Sequence, residues 1–487
     1  MDQPSRHTES SDDWISESRR KELLQWFQMF RKKQPTYEAK MPTLVLESGG
    51  DMPALNLDMM RDCFKEFWEN ISPDSLLYIS IPFHRIGRTG SESPPEPDNL
   101  GTDRHTPNIA LDSRTWWTRW AETESMHRVV FAAFMLDIIH AAMFGHAADM
   151  AAHEIRLPLP CDDNLWTANS PDVVRQLDAN FRMYGVKQVS FLDGLKSALH
   201  GKEVKTHSFG RMIIISGLLS VGWHLSHRET HLKWLDLRTP SLDTQDNWRK
   251  MLLKAFDSWK GSFDVAMSDS LSDAPGRGIS NGPINSASVL YHLAHISLHA
   301  DIVDCQVYSG AKRLLGRKVS SRDYANAVKR MTSWAKQAST RHAILHAFKL
   351  LYRVLVDPHP RRRNSPDHPA IQYSIRNETD PHRPWIMYYA VLAIWAFVQA
   401  LGRPPGKGFP LQTSQMGHSS YARMVEYVSS VASLLELDEK AAAVLHEGLP
   451  ELLEVMEEIL EEADTELLLE ARERLRVCKD MLLGGSR

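Results

Sequence analysis

Histidine is where chemistry in this chain would begin. Of its 22 histidines, His224, His227 and His231 follow the spacing HxxHxxxH, and His292, His295 and His299 repeat it. His342 and His346 add an i, i+4 pair. On a helix these spacings bring imidazoles within about one turn of each other on one face, as ligation of a transition metal requires. A metal-dependent helical enzyme is the reaction class such sets would serve. Hydrolytic metal sites also need a carboxylate base, and no HExxH motif accompanies either triad. The histidines are therefore read as packed core or surface imidazoles, with the metal enzyme kept as the minor alternative. Nucleotide chemistry has no foothold, since no Walker loop is present and no GxGxxG follows a strand. Asp162 and Asp163 are neighbours whose side chains diverge, so they read as caps of a short turn rather than an acid/base pair. No catalytic, cofactor or metal residue is assigned, and the chain is read as a non-enzyme.

The elements that would position these groups are helices. From Val129 to Met150 apolar residues cover all sides of a helical wheel, interrupted mainly by Asp137, His140 and His146. The stretch nearly suffices to cross a bilayer, but one Asp at mid-helix costs on the order of 3 kcal/mol in lipid, so a central core helix is expected and no membrane partner. Pro158 and Pro160 should end it near Ile155. Ser170, Pro171 and Asp172 then supply an N-cap, a first-turn proline and a first-turn acid for the next helix. Glu124 and Arg128 are four apart, the spacing of a helix-face ion pair of a few tenths of a kcal/mol. Asp137 needs a buried partner, for which Arg128 or Arg211 is expected.

Helical patterns continue at 14–33, 57–83, 171–182, 188–199, 207–237 and 244–267. Three more helices are expected from 286 to 356, with Ser320 or Ser321 capping the middle one. An apolar helix should start at Arg383-Pro384-Trp385, and two or three amphipathic helices at 421–483. In the last group Leu452, Val455, Met456, Ile459 and Leu460 share a face. Polar, proline-rich or glycine-rich connectors interrupt at 85–110, 268–285, 357–384 and 403–418, with Arg361, Arg362 and Arg363 exposed in the third. Strand-like alternation and regular repeats are absent, so the fold class is all-α, a large multi-helix domain.

A net charge of −4 over 487 residues gives no global basic field for nucleic acid. Residues 436–470 hold 13 acids and one base, Lys440, a local −12 that leaves +8 on the remainder. That acidic stretch is either an activation surface or the solvated face of packed helices, and its periodic leucines favour packing. The four cysteines, 63, 161, 305 and 478, form no CxxC, which excludes a six-cysteine zinc cluster or a two-Cys two-His finger within these residues. Scattered cysteines suit a reducing compartment, and the polar N-terminus carries no secretory signal. Arg19-Arg20-Lys21 and Arg31-Lys32-Lys33 have the spacing of a bipartite nuclear-import signal, against a plain solvated basic face.

The order WxxWxExE, Arg128, FxxFMLD and LPLPCDDxLW resembles the fungal-specific transcription factor domain, also described as the xylanolytic-activator-type regulatory domain. Trp117, Trp120, Glu124, Arg128, Asp137, Leu159, Pro160, Asp162, Asp163 and Trp166 match its pattern, as do Arg383, Pro384 and Trp385. The stretches LYHLAHISLH, GAKRLLGR and WAxxAxxxHAxxHAxxLL resemble the branch whose members carry two-Cys two-His fingers. The resemblance covers roughly 50–400, after an N-terminal basic segment at 1–49 and before acidic helices at 401–487. The family normally has several more helices near 85–110, so either part of the domain is lost here or the sequence is incomplete. It implies an all-helical regulatory and dimerisation module in a nuclear regulator of RNA polymerase II transcription. DNA binding and zinc would belong to a separate module. The alternative is a stand-alone modulator forming homo- or heterodimers with complete relatives.

Overall fold

A computed structural model describes residues 113–166, 168, 170–183, 188–234, 242–270, 286–314, 317–356, 373–378, 380–402, 420–463 and 465–483. The expected helices at 14–33 and 57–83, the connector at 85–110, the two basic clusters at 19–21 and 31–33, and Arg361 to Arg363 lie outside these residues.

Helices dominate what is described. In order they are α1 (Ser113–Phe144), α2 (Asp163–Trp166), α3 (Pro171–Met183), α4 (Phe191–Leu199), α5 (Ser208–Trp234), α6 (Leu242–Ser270) and α7 (Ser286–His299). There follow α8 (Ile302–Tyr308), α9 (Ser321–Trp334), α10 (Ala338–Leu351), α11 (Arg383–Leu401), α12 (Ser420–Ala432), α13 (Glu439–Ala443), α14 (Leu449–Glu461) and α15 (Glu466–Leu483). Between α8 and α9 sits a small antiparallel hairpin, β1 (Arg313–Leu314) with β2 (Arg317–Lys318), too short for alternation to announce it. Where three helices were expected from 286 to 356 there are four, because Asp301 starts α8 by accepting from the Val303 and Asp304 N–H groups.

Local signals place the helix starts. Ser320 caps α9 in a reciprocal box, its Oγ accepting from Asp323 N–H and the Asp323 carboxylate accepting from Ser320 N–H. Ser320→Ala should therefore cost about 1 kcal/mol in urea unfolding, whereas Ser321→Ala, one residue inside the helix, should be near neutral. Pro384 occupies the first turn of α11, and Ser170 Oγ accepts from Val173 N–H at the start of α3.

The end of α1 corrects an expectation. The helix stops at Phe144, about three turns before the expected end near Ile155, because Gly145 takes φ 76°. Gly145 also lies so close to Val303 that a Cβ there would collide with that side chain. Residues 145–162 then run through a short 3-10 turn at Ala152–Glu154 into an extended corner. Here Leu159 N–H donates to Val189 O at 2.8 Å and Phe191 N–H to Leu157 O at 3.0 Å.

Helix α11 lies at the centre, with every residue from Ile386 to Val398 buried. Around it pack α7, α8, α9, α10, α14 and α15, while α5 joins α1, α4 and α6 to α7. The acidic C-terminal helices use their leucines as packing predicts, with Leu452, Val455, Met456, Ile459 and Leu460 all buried. Three stretches, Arg119–Phe144, Ser208–Arg228 and Arg383–Leu401, are long and apolar enough to cross a membrane by length and composition. Most of each is buried against protein here, up to 78% for the last, so their apolarity is accounted for by the core.

Candidate functional site

Four of the signature residues, Trp120, Glu124, Arg128 and Trp166, meet in one corner held by Arg128. Its side chain, projecting from α1, is fully buried. Arg128 Nε donates to Glu124 Oε1 at 3.0 Å and Nη2 donates to the Cys161 carbonyl at 3.0 Å. The same Glu124 oxygen accepts from Cys161 N–H at 2.8 Å. The guanidinium lies 4.4 Å from the centre of the Trp166 ring and 5.6 Å from that of Phe209 on α5. Trp120 packs against Trp166, at 6.4 Å between ring centres, and stacks on Trp116. Burial and the Glu124 charge push the Cys161 thiol far up, so it stays protonated. The four-residue spacing of Glu124 and Arg128 thus carries a buried ion pair that docks the proline corner, not the surface pair expected.

Asp162 accepts from the other side of the corner, 2.9 Å from His207 Nδ1, while His207 Nε2 lies 3.3 Å from Pro160 O. The Asp162 carbonyl in turn accepts from Trp166 N–H at 3.0 Å. The side chain of Asp163 lies outside the described residues. Leu159 and Pro160 are buried and Trp117 is half-buried. Asp137 finds neither Arg128 nor Arg211. It accepts from the Met150 backbone N–H at 2.8 Å, tying the chain beyond Gly145 back to α1.

A second polar knot anchors α11. Arg383 is buried, its Nη1 donating to Glu378 Oε1 at 2.6 Å and its Nη2 to Ser286 Oγ at 2.9 Å, with Asp380 at 3.7 Å. Trp385 packs edge-on against Phe144 and Tyr388.

The histidines divide. His224 is exposed and its Nδ1 lies 2.8 Å from Ser220 O within its own helix, and His227 packs on Trp223. The His231 side chain lies outside the described residues. The other motif converges with the 342/346 pair across the α7–α10 contact. His292 Nδ1 lies 3.1 Å from His346 Nδ1, and His295 Nδ1 lies 3.1 Å from His342 Nε2. The His295 and His346 rings stack with centres 3.8 Å apart. From α6, Asp257 comes within 3.7 Å of His295 Nε2 and accepts from Tyr291 OH at 2.8 Å. Burial, reinforced by Lys260, Lys349 and Arg353, takes His292 down to about 3, and burial takes His299 down to about 4. Burial also holds His295, His342 and His346 below the ordinary histidine range, so this is a cluster of neutral imidazoles. Each motif is visible alone in the sequence; their convergence is not.

Residues 84–261 match the family model described as the fungal specific transcription factor domain. That span takes in the Arg128 corner and ends within α6, short of the histidine cluster. The chain is 28% identical over 290 residues to the zinc finger protein klf1 of Schizosaccharomyces pombe, covering 58% of this chain and 33% of that protein. It is 26% identical over 322 residues to the nicotinate catabolism cluster-specific transcription factor of Emericella nidulans, covering 61% and 33%. A third relative, the zinc finger protein zas1 of Schizosaccharomyces pombe, is 20% identical over 378 residues, covering 76% and 38%. The chain thus spans about a third of the length of these relatives. No solved structure is significantly similar. Residues 84–261, which include the buried Arg128 corner, thus match the fungal specific transcription factor domain.

Proposed function

We propose that this chain is the helical regulatory part of a nuclear transcription regulator acting on RNA polymerase II genes. The match of residues 84–261 to the transcription factor domain carries the reading, and the Arg128 corner within it supports a structural rather than catalytic use of the signature. Sequence-specific contact with DNA would come from a zinc module of the kind named in the two fission-yeast relatives, lying outside the 487 residues. The helical domain would transmit regulation and dimerise with itself or with complete relatives. Import would use Arg19, Arg20, Lys21, Arg31, Lys32 and Lys33.

Tethering tests this reading. Fused to an unrelated DNA-binding domain in a fungal host, the chain is expected to change transcription of a reporter carrying the matching sites at least about threefold in either direction. An Arg128→Ala version should lose the effect. A reporter that ignores the tethered wild-type chain, at equal nuclear protein level, rejects the regulatory reading. If only co-expression of a full-length relative restores an effect, the modulator form is the correct one.

A further inference from the structure

The histidine cluster between α7 and α10 asks for something that the transcriptional reading does not supply. One candidate donor nitrogen from each of His295, His342 and His346 lies within 4.8 Å of the other two. Three imidazoles at zinc–nitrogen distances of about 2.0–2.1 Å in tetrahedral geometry hold their nitrogens roughly 3.3 Å apart. The His295–His342 separation of 3.1 Å is already close to that value.

Hydrogen bonding among the histidines does not satisfy the site. A neutral imidazole has one N–H and one lone pair. His295 Nδ1 is occupied by His342, and His295 Nε2 is buried with no hydrogen-bond partner. Either tautomer leaves that nitrogen unmatched in a ring that is fully buried, at a cost on the order of 1–3 kcal/mol. Bound through His295 Nδ1, the nitrogen that faces His342 Nε2, a cation would take that lone pair and fix the N–H on Nε2, turned towards Asp257. The desolvated rings are neutral, so metal binding displaces no proton from them. Asp257 stands 3.7 Å from His295 Nε2, placed to orient the ring as carboxylates do behind metal-bound histidines. Its side chain is 63% exposed, giving the cluster a polar edge towards solvent.

We propose that His295, His342 and His346 bind a zinc-type divalent ion that staples α7 to α10, with His292 supporting His346 and Asp257 orienting His295. Imidazole donors suit zinc, cobalt, nickel and copper, and the absence of thiolate or multiple carboxylates disfavours calcium and magnesium. The role is structural or regulatory: occupancy couples metal level to the rigidity of the helix pair that supports α11.

The test uses the whole chain, stripped with chelator and desalted. Cobalt(II) is expected to bind at one equivalent with the visible absorption of a low-coordinate nitrogen site, and one equivalent of zinc should bleach it. Zinc should also raise the melting temperature. His342→Gln, at the half-buried rim, should weaken cobalt binding at least about 100-fold while circular dichroism stays native. Asp257→Asn should weaken it about tenfold, and His224→Gln should leave it unchanged. Binding of less than about a tenth of an equivalent overturns the proposal. So does full binding by natively folded His342→Gln, which would put the ion elsewhere among the chain's histidines.

Discussion

Replacing Arg128 with alanine should lower the unfolding free energy by about 3–5 kcal/mol, the cost of removing one partner from a buried ion pair. The residue earns this rank through what it leaves behind. Glu124 would keep its carboxylate buried without the guanidinium, held by the Cys161 N–H at 2.8 Å. The Cys161 carbonyl would lose its guanidinium donor, and the space between Trp166 and Phe209 would empty. Arg128→Lys should recover little, since an ammonium cannot lie flat on the indole while reaching both Glu124 and Cys161. The double variant Glu124→Gln/Arg128→Met should be less destabilised than the two single changes added together, because no unpaired charge remains. Urea denaturation of the four proteins checks this directly. A loss below about 1 kcal/mol for Arg128→Ala would mean the pair behaves as an ordinary exposed i, i+4 contact.

That contrast shows where sequence reading stops. Glu124 and Arg128 carry the same spacing whether they face water or a core. The difference is made by Cys161, 33 residues from Arg128, whose backbone folds back to meet both. Signals confined to one turn were legible: the Ser320 box, the Ser170-Pro171 start, the Arg383-Pro384 start of α11 and the leucine face of α14 all rest on neighbouring residues. The partner of Asp137 was not legible, because a backbone N–H from Met150 is not specified by any side-chain type. The prolines rightly marked a corner, yet a single glycine in the left-handed region ended α1 first. For the histidines, each helix contributes half of a cluster. Joining the halves requires knowing that residues 47 and 54 apart lie face to face.

The same cluster should make the fold acid-labile in the pH window just below the ordinary histidine value, where Asp301, raised by burial to about 6, works the other way. His292 titrates at about 3 and His299 at about 4 in the folded chain, against about 6.5 when unfolded. Between those values the unfolded chain binds protons that the folded chain refuses, so stability rises with pH there and falls on acidification from 6.5. From pH 6.5 to 5.0 each such imidazole removes about 1.6 kcal/mol, so this pair alone removes about 3 kcal/mol. Burial holds His295 and His346 below the ordinary histidine value as well, adding to the loss. Asp380 acts elsewhere on the scale. Burial alone would raise its pKa, but the His382 hydrogen bond and the Arg383 charge outweigh burial and hold it below the ordinary value, so its contribution persists until the pH falls below about 4. Thermal unfolding at pH 7.5 and 5.0, with chelator present throughout, isolates the imidazoles from any bound ion. A large drop in melting temperature is expected for wild type and a smaller one for His292→Phe, which removes one of the refused protons. Equal melting temperatures at the two pH values would mean that the imidazoles between α7 and α10 accept protons freely in the folded chain and that burial does not hold them neutral.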